Sequence, residues 1–525
     1  MHYMLLMRQL RGRLPSFFFF FAFCGSARGS RGVIKVWLWR GEAAELKELR
    51  GADRMERAGR RRQDAQLRSD KAGAVGMRLP QLGDVILASS LYETIDERRY
   101  SGMRVLNAGA AAFAEKNVSQ LESDWRLAGL QISEKPLENE RVYRVCMVDL
   151  EPVSLRRINR YGDEAGDELL SAGISAESRH RIGAWPQDTV LRRVMRAAAR
   201  AVYTAGLDLG EADIAVSGDG IAVVRAVWPQ LRDARLEAAA LGELAAWHAA
   251  GEAAEDRRRI LLGADPEFAL LTPSGKLASA SRFFGAGVGG AAGSDALLVG
   301  RRLLYPVAEL RPAPAESPAA LAANLRRLLA RAAGKVREPG LRWVAGAMPV
   351  PGLALGGHIH ISGAPLSGRL LRLLDRCAAY PLALVEDPAG RRRRPRYGGL
   401  GDFRLQQHGG FEYRTLPSWL VSPAAAKAAF ALALLCAREA ERMPRLPASS
   451  DAFRQAYYRG DRETLAGCLD DIAEAIASTP SYGELAMYIE PLFEAARQGK
   501  TWDESQDIRT KWRIPVASIR SISEK

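Results

Sequence analysis

The feature that most constrains this chain is a set of four short segments between Leu261 and Pro423, each carrying chemically capable polar residues two apart. They are Asp265-Pro266-Glu267, Glu309-Leu310-Arg311, His358-Ile359-His360 and Glu412-Tyr413-Arg414. In a β-strand, residues i and i+2 point to the same face. Each pair therefore projects from one side of its strand, while Phe268, Leu310, Ile359, Ile361 and Tyr413 can face a supporting layer. If the four strands share a sheet, one face carries three Glu, one Asp, two His and two Arg. Clustered carboxylates repel one another, and burying them unpaired is costly. A hard divalent cation removes both penalties. Carboxylate oxygens with an imidazole suit magnesium or manganese, whereas zinc more often recruits Cys or further His. The arginines suit phosphate or a substrate carboxylate through their planar fork of donors. Each pair alone is weak, because such spacings arise by chance on solvated strands and a lone His-x-His is usually a surface pair. The set is the signal. Of the histidines His2, His180, His248, His358, His360 and His408, half fall in this one region.

The rest of the chain organises around that region. A length of 525 residues suggests about three domains. Lys and Arg outnumber Asp and Glu by 14, but residues 1–77 alone hold 16 basic against 7 acidic residues. The basicity is thus mainly local and says little about partners of the folded part. Phe17 to Phe21 follow Arg8, Arg11 and Arg13 in the manner of a secretory signal. The apolar core is short, however, and Phe23 precedes Cys24 where a lipoprotein cleavage site needs a small residue. Arg60 to Arg62 and their neighbours show little periodicity. We expect 1–77 to be a disordered extension or one that is not native, with Met77 and Met103 as alternative starts. No CxxC pair is present, and the five cysteines are dispersed, which fits a reducing, cytoplasmic setting. No run is long and apolar enough for a transmembrane helix. The basic stretches lack interleaved aromatic platforms, which argues against nucleic acid.

Residues 141–155 alternate as a strand, and 187–205 carry apolar residues at helical spacing. Asp213 to Trp228 read as two strands about a Gly218-Asp219-Gly220 turn. This hairpin is similar to the closing hairpin of an ATP-grasp lobe, whose last strand holds magnesium through a Glu and an Asn. Arg225 and Val227 stand there instead, so a degenerate remnant without its metal site is one reading and a plain α/β accessory domain the other. Residues 232–258 read as an Ala-rich helix and a charged linker, 424–442 as a strong helix, and 451–498 as two or more helices. The tail from Thr501 reads as polar and loose. Gly285-x-Gly287-x-x-Gly290 matches the dinucleotide fingerprint only in letters, because the flanking strand and helix are missing. It reads as a flexible loop, a substrate flap being one use for it. The expected domains are 1–77, an accessory α/β domain over 78–257, the paired-residue domain over 258–500, and a tail over 501–525.

The constellation resembles the glutamine synthetase and glutamate–cysteine ligase superfamily of carboxylate–amine ligases. More closely, GADPEFAL, PVAELRPAP, LGGHIHISG, LGDFR and HGGFEYRTLPSWL are similar to the phage-type COOH·NH2 ligases, type 2, over about 258–500. The resemblance implies an α+β fold: a glutamine-synthetase-like antiparallel sheet with flanking helices, preceded by a smaller α/β accessory domain. It also implies a site. Asp265, Glu267, Glu309, His358 and Glu412 would hold magnesium or manganese, and Arg414, Arg311 and Arg404 would act on the phosphoryl group or a substrate carboxylate. His360 would lie beside the substrate, and Arg396 and Gly398, in a Gly-rich loop, would contact ATP. Two departures stand out. Asp265 replaces a Glu common in glutamine synthetases, and Gly410 precedes Phe411 where those enzymes carry an arginine. The run Arg391 to Arg394 could supply phosphate contacts instead, or be a solvated loop.

The implied activity is an ATP- and magnesium-dependent ligase that joins a small-molecule or peptide carboxylate to an amine through an acyl phosphate. No general base is assigned; Glu316 and Asp295 are loop candidates. A guanidino phosphotransferase of the same fold and a non-catalytic ligand-binding protein are the alternatives. Membrane and nucleic-acid partners are not expected, and a homo-oligomer is left open.

Overall fold

Alternating and continuous apolar runs assemble into three sheets, each built from consecutive strands. The computed structural model describes residues 35–41, 46–49, 80–81, 84–100, 102–133, 135–158, 168–171, 188–233, 236–242, 244–245, 259–285, 292–299, 302–406, 409–443 and 445–515. All of them lie within one compact unit, Ile34–Lys525.

β1 (Val36–Trp39), β2 (Lys47–Leu49), β3 (Val85–Ala88) and β4 (Arg104–Leu106) form the first sheet in the order β2-β1-β3-β4. β1 runs parallel to β3, and β3 parallel to β4. The runs VWLW and VILA do not alternate, as expected of strands buried on both faces. Val36, Leu38, Val85 and Leu87 pack on Cys146, Val148 and Leu209 of the second sheet. Trp37, Trp39, Ile86 and Ala88 fill the opposite side. The Trp37 indole donates to Asp84 at 2.7 Å, and Asp84 also accepts the Lys35 N–H at 2.9 Å. Two pieces of the expected 1–77 extension therefore belong to the folded protein. Their contribution is missed from sequence because a four-residue buried strand has no period to detect. The polyphenylalanine run, Cys24, Arg60 to Arg62 and Met77 lie outside the described residues.

β5 (Arg141–Val148), β6 (Glu151–Ile158), β7 (Glu168–Ser171), β8 (Leu209–Val216) and β9 (Ala222–Trp228) form an antiparallel sheet in the order β7-β6-β5-β8-β9. The single strand expected over 141–155 is instead a hairpin. It reverses at Asp149 and Leu150, whose φ angles of 48° and 71° are both left-handed, the requirement of a two-residue turn. The helix Thr189–Thr204 covers this sheet through Val194, Met195, Ala198 and Val202, and Asp188 caps it by accepting the N–H groups of Val190 and Leu191. The hairpin about Gly218-Asp219-Gly220 forms as read. Its Arg225 clamps the 133–140 segment, donating to the Lys135 carbonyl at 2.9 Å and to Glu140 at 2.6 Å, and Val227 is buried.

The third sheet contains β10 (Leu261–Leu271), β11 (Leu277–Ala278), β12 (Ala292–Val299), β13 (Arg302–Leu310), β14 (Arg342–Val344), β15 (Gly357–Ser362), β16 (Phe403–Leu405) and β17 (Phe411–Tyr413). Its path is β12-β13-β10-β15-β17-β16, with β11 and β14 paired to β10, and every pairing is antiparallel. Phe268, Leu310, Ile359, Ile361, Phe411 and Tyr413 share one core with the helices Pro318–Lys335 and Pro423–Glu439. The fold is α+β: antiparallel sheet with flanking helices, preceded by smaller α/β elements. Among the described residues five helices follow, Asp451–Arg459, Arg462–Ala466, Leu469–Ala477, Tyr482–Arg497 and Ile508–Trp512. Among the described residues, no helix is long and apolar enough to cross a membrane.

The tail beyond Thr501 is docked rather than loose as far as residue 515. Trp512 is 1% exposed and donates to the Leu420 carbonyl at 2.7 Å. Glu504 is 4% exposed and accepts the N–H groups of Ala347 and Met348 at 2.7 and 3.0 Å. Burial raises its carboxyl from 4.5 to about 7, against those hydrogen bonds. The folded state therefore holds this proton more tightly than the unfolded chain. The resulting stabilisation is complete below about pH 4.5 and is lost as pH rises through 7. In denaturant titrations, the native protein should lose up to about 3 kcal/mol relative to Glu504→Gln between pH 5 and pH 8. Parallel pH profiles for the two proteins would contradict this.

Candidate active site

Register places the four residue pairs in one row. Asp265 lies opposite His358, Glu267 opposite Glu309, and His360 opposite Glu412. Arg404 of β16 lies opposite Glu412 on its other side. The apolar residues between them face the helical core, so the polar ones are left on the open side. They line a cleft of about 580 Å3 whose walls include Asp265, Glu267, Glu309, Arg311, His358, His360, Arg404, Gln406 and Arg414. Two glycines make room for it. A Cβ on Gly356 would come within 2.5 Å of the His358 imidazole, and one on Gly357 within 2.6 Å of the Trp419 indole nitrogen, which donates to the Gly357 carbonyl at 2.8 Å.

Two imidazoles and two carboxylates meet closely at the cleft. His358 Nδ1 stands 3.3 Å from Asp265 and 3.2 Å from Glu412, and His360 Nε2 stands 3.1 Å from Asp265. Burial opposes charge on His358, but the facing Asp265 and Glu412 carboxylates and the charge of Glu267 raise its pKa to about 10. Burial likewise disfavours the charged Asp265 and Glu412, yet the facing histidines hold both carboxyls below their ordinary values. Glu412 is fully buried. It accepts from Arg404 Nε at 2.6 Å and from Gln406 at 2.9 Å, and Arg414 Nε lies 3.4 Å away. Glu309 accepts from Arg311 at 2.8 Å, and Glu267 accepts the Gly356 N–H at 2.6 Å.

The residues fit a hard cation. One ligand atom each from Asp265, His360 and Glu412 lie within 4.8 Å of one another. Asp265 Oδ1, His360 Nε2 and Glu412 Oε1 are buried and make no well-aligned hydrogen bond among the described residues, although each has an ion-pair neighbour at 3.1–3.3 Å. Both imidazoles reach the carboxylates: His360, expected beside the substrate, sets its Nε2 3.1 Å from Asp265. His358, expected to bind metal, turns its Nδ1 between Asp265 and Glu412. Glu267 and Glu309 border the cleft as neighbours of this cluster.

Other expected residues lie elsewhere. Arg396 and Gly398 do not line the cleft. The Arg396 guanidinium lies over the Tyr397 ring, 5.4 Å from its centroid, and the Gly398 carbonyl accepts the Tyr457 hydroxyl at 2.8 Å. The arginine run divides. Arg393 is buried and donates to the carbonyls of Thr415 and Leu416 at 2.9 and 3.0 Å, which pins the chain just after Arg414. Arg394 is buried against Glu386 and the Tyr457 carbonyl. Arg391 and Arg392 line a separate cavity of about 310 Å3. Glu316 is exposed beside Arg259 at 3.5 Å. The Asp295 side chain, residues 286–291 of the Gly-rich loop and His408 lie outside the described residues. Sequence reasoning missed Gln406, which has no motif around it. It also missed Asp375, a buried acid that accepts the Tyr413 hydroxyl at 2.7 Å and the Tyr203 hydroxyl at 2.8 Å.

Residues 262–514 match the family model of the Phage phiEco32-like COOH.NH2 ligase-type 2. This bears out the resemblance read from the motifs. The matched stretch takes in the strands of the cleft and the docked C-terminal segment. No curated protein matches the chain. Among solved structures, it is similar to a bifunctional glutathione synthetase from Pasteurella multocida, at 11% identity and a TM-score of 0.31, over 51% of this chain and 53% of that one. It is also similar to the structure described as apo GmaS without ligand, at 15% identity and a TM-score of 0.27, over 47% and 71%. The chain thus spans about half the length of the first of these. Both likenesses are too slight to carry an argument about this chain.

Proposed function

We propose that this protein is an ATP- and divalent-cation-dependent carboxylate–amine ligase that forms an amide or peptide-type bond through an acyl phosphate, with the chemistry in the β10-β13-β15-β17 cleft. The observation that carries the reading is the meeting of Asp265, His360 and Glu412 at a cleft that Asp265, His360, Arg311, Arg404 and Arg414 line. Asp265, His360 and Glu412 would hold magnesium or manganese, with Glu267, Glu309 and His358 beside them. A bound divalent cation supplies neutralisation of phosphate charge. Arg404 and Arg414 reach toward the same space and offer planar donors to the phosphoryl group as it passes from ATP to the substrate carboxylate. Arg311, already held at one nitrogen by Glu309, presents its other side to a substrate carboxylate. The amine nitrogen then bonds to the acyl carbon, phosphate leaves, and the amine gives up a proton.

The test is ADP release by the full chain with magnesium and ATP, screened over pairs of carboxylates and amines. ADP together with an amide product is expected. ADP together with a phosphorylated guanidinium would replace the ligase by a phosphotransferase. ATP affinity that is indifferent to magnesium would remove the enzyme reading altogether.

A further inference from the structure

A second cavity, of about 270 Å3, lies between the elements that precede residue 210 and the helical segment Gly368–Val385. Six cations line it: Arg104, Lys116, Arg369, Arg372, Arg376 and Arg454. Five of them meet carboxylates. Arg104 pairs with Asp149 at 2.9 Å, Lys116 with Asp124 at 2.9 Å, Arg369 with Glu97 at 3.0 Å and Arg454 with Asp124 at 2.7 Å, and Arg372 pairs with Asp208. Arg376 has no such partner among the described residues. Its one protein acceptor there is the Pro447 carbonyl, at 3.2 Å. The acid beside it in sequence, Asp375, is engaged by the hydroxyls of Tyr203 and Tyr413 instead. Burial and the neighbouring Arg372 both disfavour the charge on Arg376, so a counter-ion there relieves a real cost. Between the charged groups the walls are apolar, formed by Ile95, Leu106, Phe113 and Leu446.

We propose that this cavity binds a small organic carboxylate with an apolar body, its carboxylate held by the open donor fork of Arg376. One unpaired guanidinium balances one negative charge. The lining acids Glu97, Asp208, Asp375 and Asp451 oppose a dianion such as phosphate, and the apolar walls accept a hydrocarbon body. This site is separate from the ligase cleft, with which it shares no lining residue, and it does not depend on the ligase reading.

Calorimetry on the full chain with butyrate, benzoate, butyramide and inorganic phosphate tests the assignment. Saturable binding of butyrate or benzoate is expected, without comparable binding of butyramide or phosphate. Affinity should fall by about tenfold or more in Arg376→Met. Arg376→Lys, which keeps the charge but loses the fork, should fall between the two, and it serves alone if the Met variant does not fold. The proposal is overturned if neither acid binds, if phosphate binds better, or if Arg376→Lys binds as the native protein does. Binding that Arg414→Lys abolishes and Arg376→Lys spares would belong to the ligase cleft and would also overturn it.

Discussion

Glu412→Gln is expected to lower magnesium-supported ADP release by on the order of a hundredfold and to weaken manganese binding measured by calorimetry. The side chain is fully buried and accepts from Arg404 and Gln406, with His358 Nδ1 3.2 Å away. Glutamine keeps its shape but brings an N–H2 group towards those donors and removes the charge that would offset a cation. Arg414→Lys gives the contrasting result. It keeps a positive charge near Glu412 but loses the planar fork, so turnover should fall while metal binding stays near the native value. A structural role for the strand predicts the reverse pattern, with both variants losing melting temperature and neither selectively altering metal affinity. Full turnover in a folded Glu412→Gln protein would sink the site assignment.

Removing residues 1–77 is expected to cause the largest loss of stability. The cut deletes β1, which sits between β2 and β3, and takes Trp37 and Trp39, 3% and 4% exposed, out of the core. Asp84 would lose the indole and backbone donors it now accepts from. Trp37→Ala alone should cost about 3–5 kcal/mol. Thermal unfolding of the truncated and native chains measures the effect, and matching melting temperatures would show that β1 is dispensable.

The polar half of the cleft was legible in the sequence because strand geometry maps spacing directly onto a face. Asp265, Glu267, Glu309, Arg311, His358, His360, Glu412 and Arg414 needed only the i, i+2 rule to be placed on one side of a sheet. The close approach of both imidazoles to the carboxylates was not legible, since the space at Gly356 decides where the His358 ring sits. Nor was the fate of the arginine run. Four identical letters divide into two buried clamps, Arg393 and Arg394, and two residues, Arg391 and Arg392, that with Arg394 line a cavity, because a short helical turn points successive side chains in different directions. β1 and the docked tail were hidden for another reason. Trp37 and Trp512 reveal their burial only through partners far away in the chain, Asp84 and Leu420.

Cross-strand register also bears on how such a site can vary. Every member of the proposed cation cluster hangs from an odd–even alternation, with Asp265 set against His358 and His360 against Glu412. Inserting or deleting a single residue within β10, β15 or β17 would turn the carboxylates and imidazoles into the helical core and present Ile359, Phe411 or Tyr413 to solvent. Length changes in these strands are therefore tolerable only in twos. The connecting segments carry no such parity, and they are where related chains can differ in length while keeping the same chemistry.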